Sequence, residues 1–313
     1  MKYETFTIEM FAKSFGVATD DLPKECREMI EEIDFSYRVL HGIERDLVIL
    51  EALKKNEYDR QEVGATERKN IWQDGWNQNL QEFKNSGHDP LSLVPKFLRP
   101  GQPIRLNGEY VIPSNQHFEL DYFRVFRMWL FKTYLREFNS IYEFGCGTGF
   151  NLLELARMNP KSKLYGLDFV TAASDLVNQI AEAYNVNMVG GVFDMTSPDE
   201  GFLLDENSAI FTFGSVEQIA GKFENFIQYL FNQNPALCIH LEPTLEMYDD
   251  KTLLDYLAIK FHKKRGYTEG FLTRLKELEI LGQVELLKVK RLYFGSTFME
   301  GYTYFIWRPI KEV

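Results

Sequence analysis

The chain has 313 residues, of which 45% are hydrophobic and 15% aromatic, enough to bury a large core in one elaborated domain or two. Its formal net charge of -11 would repel a phosphate backbone, which disfavours nucleic acid as a partner and favours a small molecule. The three cysteines, Cys26, Cys146 and Cys238, are widely separated, so neither a disulfide framework nor a metal site is indicated.

The first residues, MKYETFTIEMFAKSFGV, do not have the pattern of a secretory signal. Glu4 and Glu9 interrupt the apolar core that such a signal needs, and no apolar run approaches membrane-spanning length. Three widely separated cysteines are also typical of a protein in a reducing compartment. We therefore expect a cytoplasmic protein without a membrane partner.

Residues 1–103 are predicted to form a mainly helical extension. Between Leu22 and Asn56, apolar residues recur at three- and four-residue steps, which is helical periodicity. They are Met29, Ile30, Ile33, Tyr37, Leu40, Ile43, Leu47, Leu50 and Leu53. A second helix is predicted from about Thr66 to Ser86. Its aromatic residues have a spacing that more often reflects packing than a binding site, and they are Trp72, Trp76 and Phe83.

A β-hairpin is predicted next, in IRLNGEYVI, residues 104 to 112. Strand-forming residues flank Asn107-Gly108, the pair that most readily supplies the two positive φ angles of a tight turn. The aromatic segment LDYFRVFRMWLFKTYLREF then predicts a helix that leads into Ile141.

From Ile141 onward, predicted strands alternate with predicted helices, which is typical of a mainly parallel sheet covered on both faces. Strands are predicted at 141–144, 163–168, 188–193, 208–213 and 236–242, and helices at about 150–158, 173–184, 217–232, 250–262 and 270–280. The segments VELLKVKRLYF and TYFIWRP predict an antiparallel pair at the end of the sheet. For residues 104–313 we thus expect a doubly wound α/β domain, with a mostly parallel seven-stranded sheet and an antiparallel terminal strand.

A glycine-rich stretch, EFGCGTGFN, follows the first predicted strand of this sheet. In an open α/β sheet, ligands bind beyond the carboxyl ends of the strands, where the strand order reverses. Alternate glycines there allow a tight turn, close approach of a ligand to the backbone, and packing of the next helix onto the strand. These glycines are Gly145, Gly147 and Gly149.

Two carboxylates end the next two predicted strands. Asp168 stands where a carboxylate can accept both hydroxyls of a ribose, and Asp194 where one can accept from an adenine amino group. Together, EFGCGTG, GLDF with Asp168 and FDM with Asp194 resemble the class I S-adenosylmethionine-dependent methyltransferase family over about residues 110 to 313. The resemblance implies S-adenosylmethionine as cofactor, with Glu143 near its methionine amino group. The implied cofactor-binding residues are Glu143, Gly145, Cys146, Gly147, Gly149, Asp168, Phe169, Asp194, Met195 and Phe213.

A dinucleotide site fits the glycine loop less well. A pyrophosphate disfavours a carboxylate directly before the glycines, whereas a sulfonium with an ammonium group is attracted to Glu143. The third glycine of a dinucleotide motif is also missing, because its position is Asn151 or Leu152. We therefore expect a methyltransferase that acts on a small molecule, such as a sugar or another biosynthetic intermediate. The alternatives are a regulatory or scaffolding module that binds the cofactor without transfer, and a protein or RNA methyltransferase.

The resemblance places the acceptor pocket at the ends of strands four and five, here FTFGSVEQI and CIHLEPTLEMY. Methyl transfer needs positioning, a dry cavity and, for a weak nucleophile, a base. Glu217 is a candidate to receive a proton, and its structural alternative is a carboxylate stabilised at a helix start. His240 and Glu242 share one face of strand five as further catalytic candidates, although His240 is also a candidate core histidine. Tyr248 lies farther along the same segment.

Three other regions have both a functional and a structural interpretation. Residues 114–123, SNQHFELDYF, either close over the cofactor or form a capped helix start, and the candidates there are Asn115, Gln116, His117 and Tyr122. A basic run is either a site for an anionic substrate group or a solvated helix end, and it contains Lys260, His262, Lys263, Lys264 and Arg265. The N-terminal helices either cover the acceptor pocket or form a homodimer interface.

Overall fold

The structure, a computed structural model, describes residues 2–61, 63 and 68–310. In the described part of the chain, nine α-helices and strands precede residue 140: β1 (Glu4–Thr5), α1 (Ile8–Phe15), α2 (Lys24–Glu32), β2 (Ser36–Val39), α3 (Gly42–Tyr58), α4 (Arg68–Asn85), β3 (Ile104–Leu106), β4 (Glu109–Pro113) and α5 (Phe118–Leu130). A turn of π-helix, Phe131–Leu135, continues α5. Residues 66 and 67, where the second predicted helix would begin, lie outside the described residues.

The remaining elements follow the predicted order, except that the predicted strand VELLKVKRLYF is divided into two. They are β5 (Ser140–Phe144), α6 (Phe150–Met158), β6 (Lys163–Asp168), α7 (Thr171–Tyr184), β7 (Met188–Val192), β8 (Ala209–Phe213), α8 (Glu224–Gln233), β9 (Leu237–Glu242), α9 (Leu253–Arg265), α10 (Phe271–Ile280), β10 (Val284–Arg291), β11 (Phe294–Gly295) and β12 (Thr303–Pro309). In the part of the chain that the structure describes, no helix is both long enough and apolar enough to cross a membrane.

Seven strands form the main sheet, in the order β10-β12-β9-β8-β5-β6-β7. The strands from β5 to β9 pair in parallel, and β12 runs antiparallel to both β9 and β10. The predicted fold class, a doubly wound and mostly parallel seven-stranded sheet with an antiparallel terminal strand, is therefore confirmed. The chain proceeds from β5 outward to β6 and β7, and then returns to β8 on the other side of β5. The loop after β5 consequently lies at the point where the strand order reverses.

A second sheet of five strands, in the order β1-β2-β4-β3-β11, joins the extension to the rest of the chain. The predicted hairpin is present in it, with φ of +51° at Asn107 and +81° at Gly108 between β3 and β4. Because β4 pairs with β2 and β3 pairs with β11, this sheet draws strands from both sides of the boundary expected at residue 103.

Two helix predictions need correction. The helical periodicity from Leu22 to Asn56 is interrupted, because the chain becomes extended at Ile33 and the carboxylate of Asp34 accepts the N–H of Ser36 at 2.9 Å, which starts β2. The helix predicted at 217–232 begins only at Glu224, since a 3-10 turn and two residues of positive φ, Ala220 and Gly221, come first.

Candidate active site

The glycine-rich loop connects β5 to α6 at the carboxyl end of the sheet. The φ angles of Gly145, Gly147 and Gly149 are +74°, +51° and +71°, in the left-handed region that glycine adopts without steric cost. The N–H groups of Gly145 and Cys146 donate to the carbonyl of Leu167 at 2.7 and 3.0 Å. The loop is therefore tied to β6, and its glycines are required by the backbone conformation.

Other parts of the protein lie close to two of these glycines. A Cβ on Gly145 would be 2.2 Å from the Cβ of Ser215, and a Cβ on Gly147 would be 3.0 Å from ring carbon Cζ2 of Trp76. Ser215 is held in place because its hydroxyl donates to the carbonyl of Phe144 at 2.8 Å. The turn after β8 and helix α4 thus both approach the loop so closely that side chains would collide there.

Of the buried carboxylates near the loop, that of Glu143 accepts the fewest hydrogen bonds. It is 1% exposed, and its Oε1 accepts from Nδ2 of Asn151 at 2.8 Å. Its Oε2 is buried without a hydrogen-bond partner among the described residues. Burial raises the pKa of Glu143 to about 8. A buried, under-satisfied carboxylate of this kind is a strong acceptor for a cation or an N–H donor brought by a ligand.

A buried arginine supports the same carboxylate through Asn151. A terminal nitrogen of Arg127, Nη1, donates to Oδ1 of Asn151 at 3.1 Å, and the guanidinium lies over the ring of Phe150, 4.1 Å from its centroid. Burial lowers the pKa of Arg127 to about 10. Asn151 is therefore oriented between Arg127 and Glu143. The sequence patterns do not single out either residue, although a lone arginine inside an aromatic helix is a signal that could have found Arg127.

Asp168 joins the loop to the end of β6. It is 5% exposed. Its Oδ2 accepts the N–H of Gly147 at 3.1 Å, and its Oδ1 accepts the N–H of Val170 at 3.3 Å. Burial raises the pKa of Asp168 to about 6 against the opposite effect of these bonds. Each oxygen retains capacity for a further donor.

The other residues of the implied cofactor set differ in their surroundings. Met195 is buried, and its methyl carbon is 3.7 Å from the position of a Cβ on Gly145. Asp194 is exposed, and its Oδ1 accepts from both the N–H and the hydroxyl of Thr196 at 2.8 and 2.7 Å. Phe169 and Phe213 are half-buried. Met195 is thus brought to the loop, whereas one oxygen of Asp194 is already engaged in a local turn.

Helix α4 covers this region. Oε1 of Gln73 accepts from the hydroxyl of Thr171 at 3.2 Å and from the N–H of Ala172 at 3.3 Å, at the start of α7. The rings of Trp72 and Trp76 stack with centroids 5.2 Å apart. The aromatic spacing of α4 is therefore used for packing, as the sequence favours, but the surface that Trp76 packs against is the glycine loop.

Glu242, at the end of β9, is fully hydrogen-bonded. Its Oε1 accepts from the hydroxyl of Thr212 at 2.7 Å and from the N–H groups of Ser215 and Val216, both at 3.2 Å. Its Oε2 accepts the N–H of Glu217 at 3.2 Å. Burial raises the pKa of Glu242 to about 7. These four donors make Glu242 the cap of the turn that follows β8.

His240 lies in an aromatic environment within the sheet. It is 0% exposed, and its Nδ1 is 2.8 Å from Oγ1 of Thr212. Its ring stacks on Trp307 at a centroid distance of 6.2 Å. Burial lowers the pKa of His240 to about 3, so the ring is neutral at physiological pH. These are the surroundings of a core histidine.

Glu217 belongs to a polar cluster between the turn after β8 and α4. Its Oε1 accepts from Nε2 of Gln218 at 2.6 Å, and Arg68 donates to Oε1 of Gln218 at 3.2 Å. Burial, and then the charge of Glu242, raise the pKa of Glu217 to about 8. A carboxyl group with a pKa near neutrality is suited to exchange a proton with a bound molecule.

Residues 114–123 form the start of α5. Oδ1 of Asn115 accepts the N–H of His117 at 2.8 Å. Tyr122 is completely buried, and its hydroxyl is 2.6 Å from Oγ of Ser14. These contacts support the interpretation of this segment as a helix start above a hydrophobic core, but the expected cap is not formed, because the side chain of His117, at the N-cap position, makes no capping hydrogen bond.

The basic run lies in the C-terminal part of α9. Its side chains have different environments. Lys263 and Lys264 are exposed, whereas His262 is 0% exposed. Nε of Arg265 donates to Oδ2 of Asp59 at 2.6 Å. The run is therefore divided between solvent, the protein interior and an ion pair with the residue after α3.

No family model matches the chain, and no curated protein matches it significantly. Solved structures do resemble it. One is a SAM dependent methyltransferase from Aquifex aeolicus, with 16% identity, 58% of this chain and 87% of that chain covered, and a TM-score of 0.41. Another is PigF with SAH, with 13% identity, 84% and 70% coverage, and a TM-score of 0.47. A third is the N-methyltransferase NodS from Bradyrhizobium japonicum in complex with S-adenosyl-L-homocysteine, with 13% identity, 60% and 87% coverage, and a TM-score of 0.42.

Proposed function

We propose that the chain is an S-adenosylmethionine-dependent methyltransferase that acts on a small-molecule acceptor. The observation that carries this proposal is the buried oxygen of Glu143 that has no partner among the described residues, directly before the glycine-rich loop. The loop stands at the reversal of strand order, where open α/β sheets bind their ligands. S-adenosylmethionine carries an ammonium group and a sulfonium, and both cations suit a site with two buried carboxylates, Glu143 and Asp168.

The residues around the loop fit the parts of this cofactor. Glu143 would accept from its ammonium group, and Asp168 from its ribose hydroxyls. The second oxygen of Asp194 is left to accept from the adenine amino group. The remaining contacts would be apolar or made by the backbone, from Gly145, Cys146, Gly147, Gly149, Phe169, Met195 and Phe213. When bound, the cofactor supplies an electrophilic methyl group.

The position of α4 supports a small acceptor. The indole of Trp76 covers Gly147, and Gln73 fixes the same helix on the start of α7. A cover supplied by the chain itself excludes water and encloses the site. Such an enclosure suits a small molecule better than a polymer strand.

We assign the role of proton acceptor to Glu217. Glu242 already accepts four hydrogen bonds from the turn after β8, and His240 is buried with its pKa lowered to about 3. The pKa of Glu217 is raised to about 8, so its carboxylate becomes ionised as the pH approaches and passes that value, and it can then take the proton that a hydroxyl or ammonium acceptor loses. Glu242 and His240 would then act indirectly, by holding the turn that carries Glu217.

Cofactor binding is tested by calorimetry with S-adenosylmethionine and with S-adenosylhomocysteine. We expect comparable binding of both, because the named contacts address the amino acid and the ribose rather than the methyl group. The absence of heat with either ligand, on folded protein, would overturn the proposal.

Transfer is tested with a methyl-labelled cofactor and a metabolite extract, and label is expected in the small-molecule fraction. Label in protein or RNA would indicate a macromolecular acceptor, and binding without transfer would indicate a regulatory module. Glu217→Gln should bind the cofactor like the unchanged protein while transfer falls about 100-fold or more. Unchanged transfer in this variant would remove Glu217 from the role of base.

A further inference from the structure

Helix α3 presents large apolar side chains to solvent. Four of them are 78%, 60%, 45% and 48% exposed, in the order Ile43, Leu47, Leu50 and Leu53. Their spacing of four, three and three residues places them along one side of the helix, since 3.6 residues complete a turn. We call these four residues the α3 stripe.

On an amphipathic surface helix the large apolar residues usually face the protein, whereas those of the α3 stripe face solvent. The residues that α3 buries against the protein are the smaller Val48 and Ala52. Single exposed leucines are ordinary, but a contiguous row of large aliphatic residues marks an interaction surface. The sequence favours burial of the stripe, and the structure leaves it without a partner among the described residues.

Charged residues of opposite sign flank the stripe toward its two ends. Asp46 lies in the first half of α3 and Lys54 in the second, and both are exposed. Two other charged residues of the helix are paired within the chain, since Glu44 binds Arg38 and Lys55 binds Asp59. Within the described ranges, Asp46 and Lys54 form no salt bridge, which leaves both available to a partner.

We propose that the α3 stripe is the interface of a symmetric dimer, in which α3 packs antiparallel against α3 of a second copy of this chain. A two-fold axis at Leu50 brings that residue against its own copy. The same axis places Leu47 opposite Leu53 of the partner subunit, and Asp46 opposite Lys54 of the partner subunit. Such an interface is self-complementary. The same axis places Ile43 opposite Glu57 of the partner subunit, so the apolar contact is centred on Leu47, Leu50 and Leu53.

The order of the charges along α3 favours a second copy of this chain as the partner, and it favours antiparallel packing. Antiparallel packing forms the attractive contact between Asp46 and Lys54 twice, whereas parallel packing would place each of these charges opposite its own copy. A membrane surface favours basic residues along both edges of the apolar face. Glu51 and Glu57 are also exposed on α3, and their negative charge disfavours an anionic lipid surface.

Analytical ultracentrifugation of the full chain tests the proposal. We expect a dimer at micromolar concentration. Leu50→Glu places two like charges at the axis and should raise the dissociation constant at least about 100-fold. Ile280→Glu is the matched control, because Ile280 is also a large aliphatic residue, is 85% exposed and lies on α10, and it should leave the dimer unchanged. Circular dichroism should show that both variants are folded.

A charge exchange tests the direction of packing. Asp46→Lys and Lys54→Asp should each raise the dissociation constant about 5- to 10-fold, and the double variant should return it to within about 3-fold of the original. Failure of the double variant to recover would overturn the antiparallel arrangement. A chain that stays monomeric up to about 100 µM, or a dimer that Leu50→Glu does not weaken, would overturn the interface altogether.

Discussion

Glu143→Gln is expected to stabilise the free protein at alkaline pH. Burial raises the pKa of Glu143 from 4.5 to about 8, so between these values the folded state holds a proton that the unfolded state has released. Stability therefore falls as the pH rises through this window. At about 1.4 kcal/mol per pKa unit, the ionised carboxylate costs up to about 5 kcal/mol above pH 8. Glutamine keeps an oxygen for the bond with Asn151 and removes this cost.

The same substitution should weaken cofactor binding. It removes the charge that we assign to the ammonium group, and a hydrogen bond to a charged group contributes about 1.5 to 3 kcal/mol. The dissociation constant should accordingly rise about 10- to 150-fold. Because the cation favours ionised Glu143, the unchanged protein should also lose affinity as the pH falls below about 8, whereas the variant should lack this dependence.

Denaturant unfolding at about pH 4 and about pH 9 checks the first expectation, and calorimetry checks the second. The two proteins should have similar stability at the lower pH, and the variant should be the more stable at the higher pH. Glu137→Gln is the matched control, because that side chain is 90% exposed, and it should change neither quantity. A variant that is less stable at the higher pH, or that binds the cofactor normally, would refute the role given to Glu143.

Three further substitutions separate binding from stability. Gly147→Ala should weaken cofactor binding severely, because its Cβ would intrude on a cofactor that lies against the backbone of the loop. The positive φ of Gly147 and the position of its Cβ, 3.0 Å from Trp76, should lower stability by about 1 kcal/mol or somewhat more. Calorimetry and melting of one purified variant decide, and full affinity would remove the main support for a cofactor loop. Asp168→Ala should cost about 1.5 to 3 kcal/mol of binding in calorimetry, and unchanged affinity would mean that β6 does not end at the ribose. Glu242→Gln should lower the free energy of unfolding by about 1 to 3 kcal/mol, since its amide N–H groups would face N–H donors; an unchanged denaturation midpoint with lost transfer would instead make Glu242 the base.

The main sheet could be predicted because its signals are local. Its parallel strands are short, continuous apolar runs such as SAIFTF, and each is followed by a helix-like pattern. β2 could not be found in this way. Its four residues gain their hydrogen bonds from β4, about seventy positions along the chain, while the surrounding sequence keeps a helical spacing. Pairing across such a distance leaves no trace in local periodicity.

The same distinction applies to the site. The left-handed turn of the loop depends on glycine itself, so its place could be predicted from the sequence. The contact between Trp76 and Gly147 joins residues seventy-one positions apart and depends on how α4 packs on α7. Likewise, Glu242 has the sequence position of a catalytic carboxylate, yet its role depends on donors from the turn after β8. Only the folded chain shows which carboxylates are already satisfied and which retain a free oxygen.

The N-terminal extension is also tied to the main sheet, and this leads to a prediction for truncation. The hydroxyl of Ser14 donates to the carbonyl of Leu292 at 2.7 Å, and the hydroxyl of Tyr304 donates to the carbonyl of Phe15 at 2.6 Å. Tyr304 lies on β12, which pairs with β9, so the second of these bonds joins the extension to the strand beside the one that ends in Glu242. We infer that residues 1–103 fold together with the sheet. A chain that begins at residue 104 should therefore fail to give a cooperative unfolding transition, because removal of α1 and β2 exposes buried aromatic residues and an unpaired strand edge. A stable, cooperatively folded truncated chain would show instead that the extension is an independent unit.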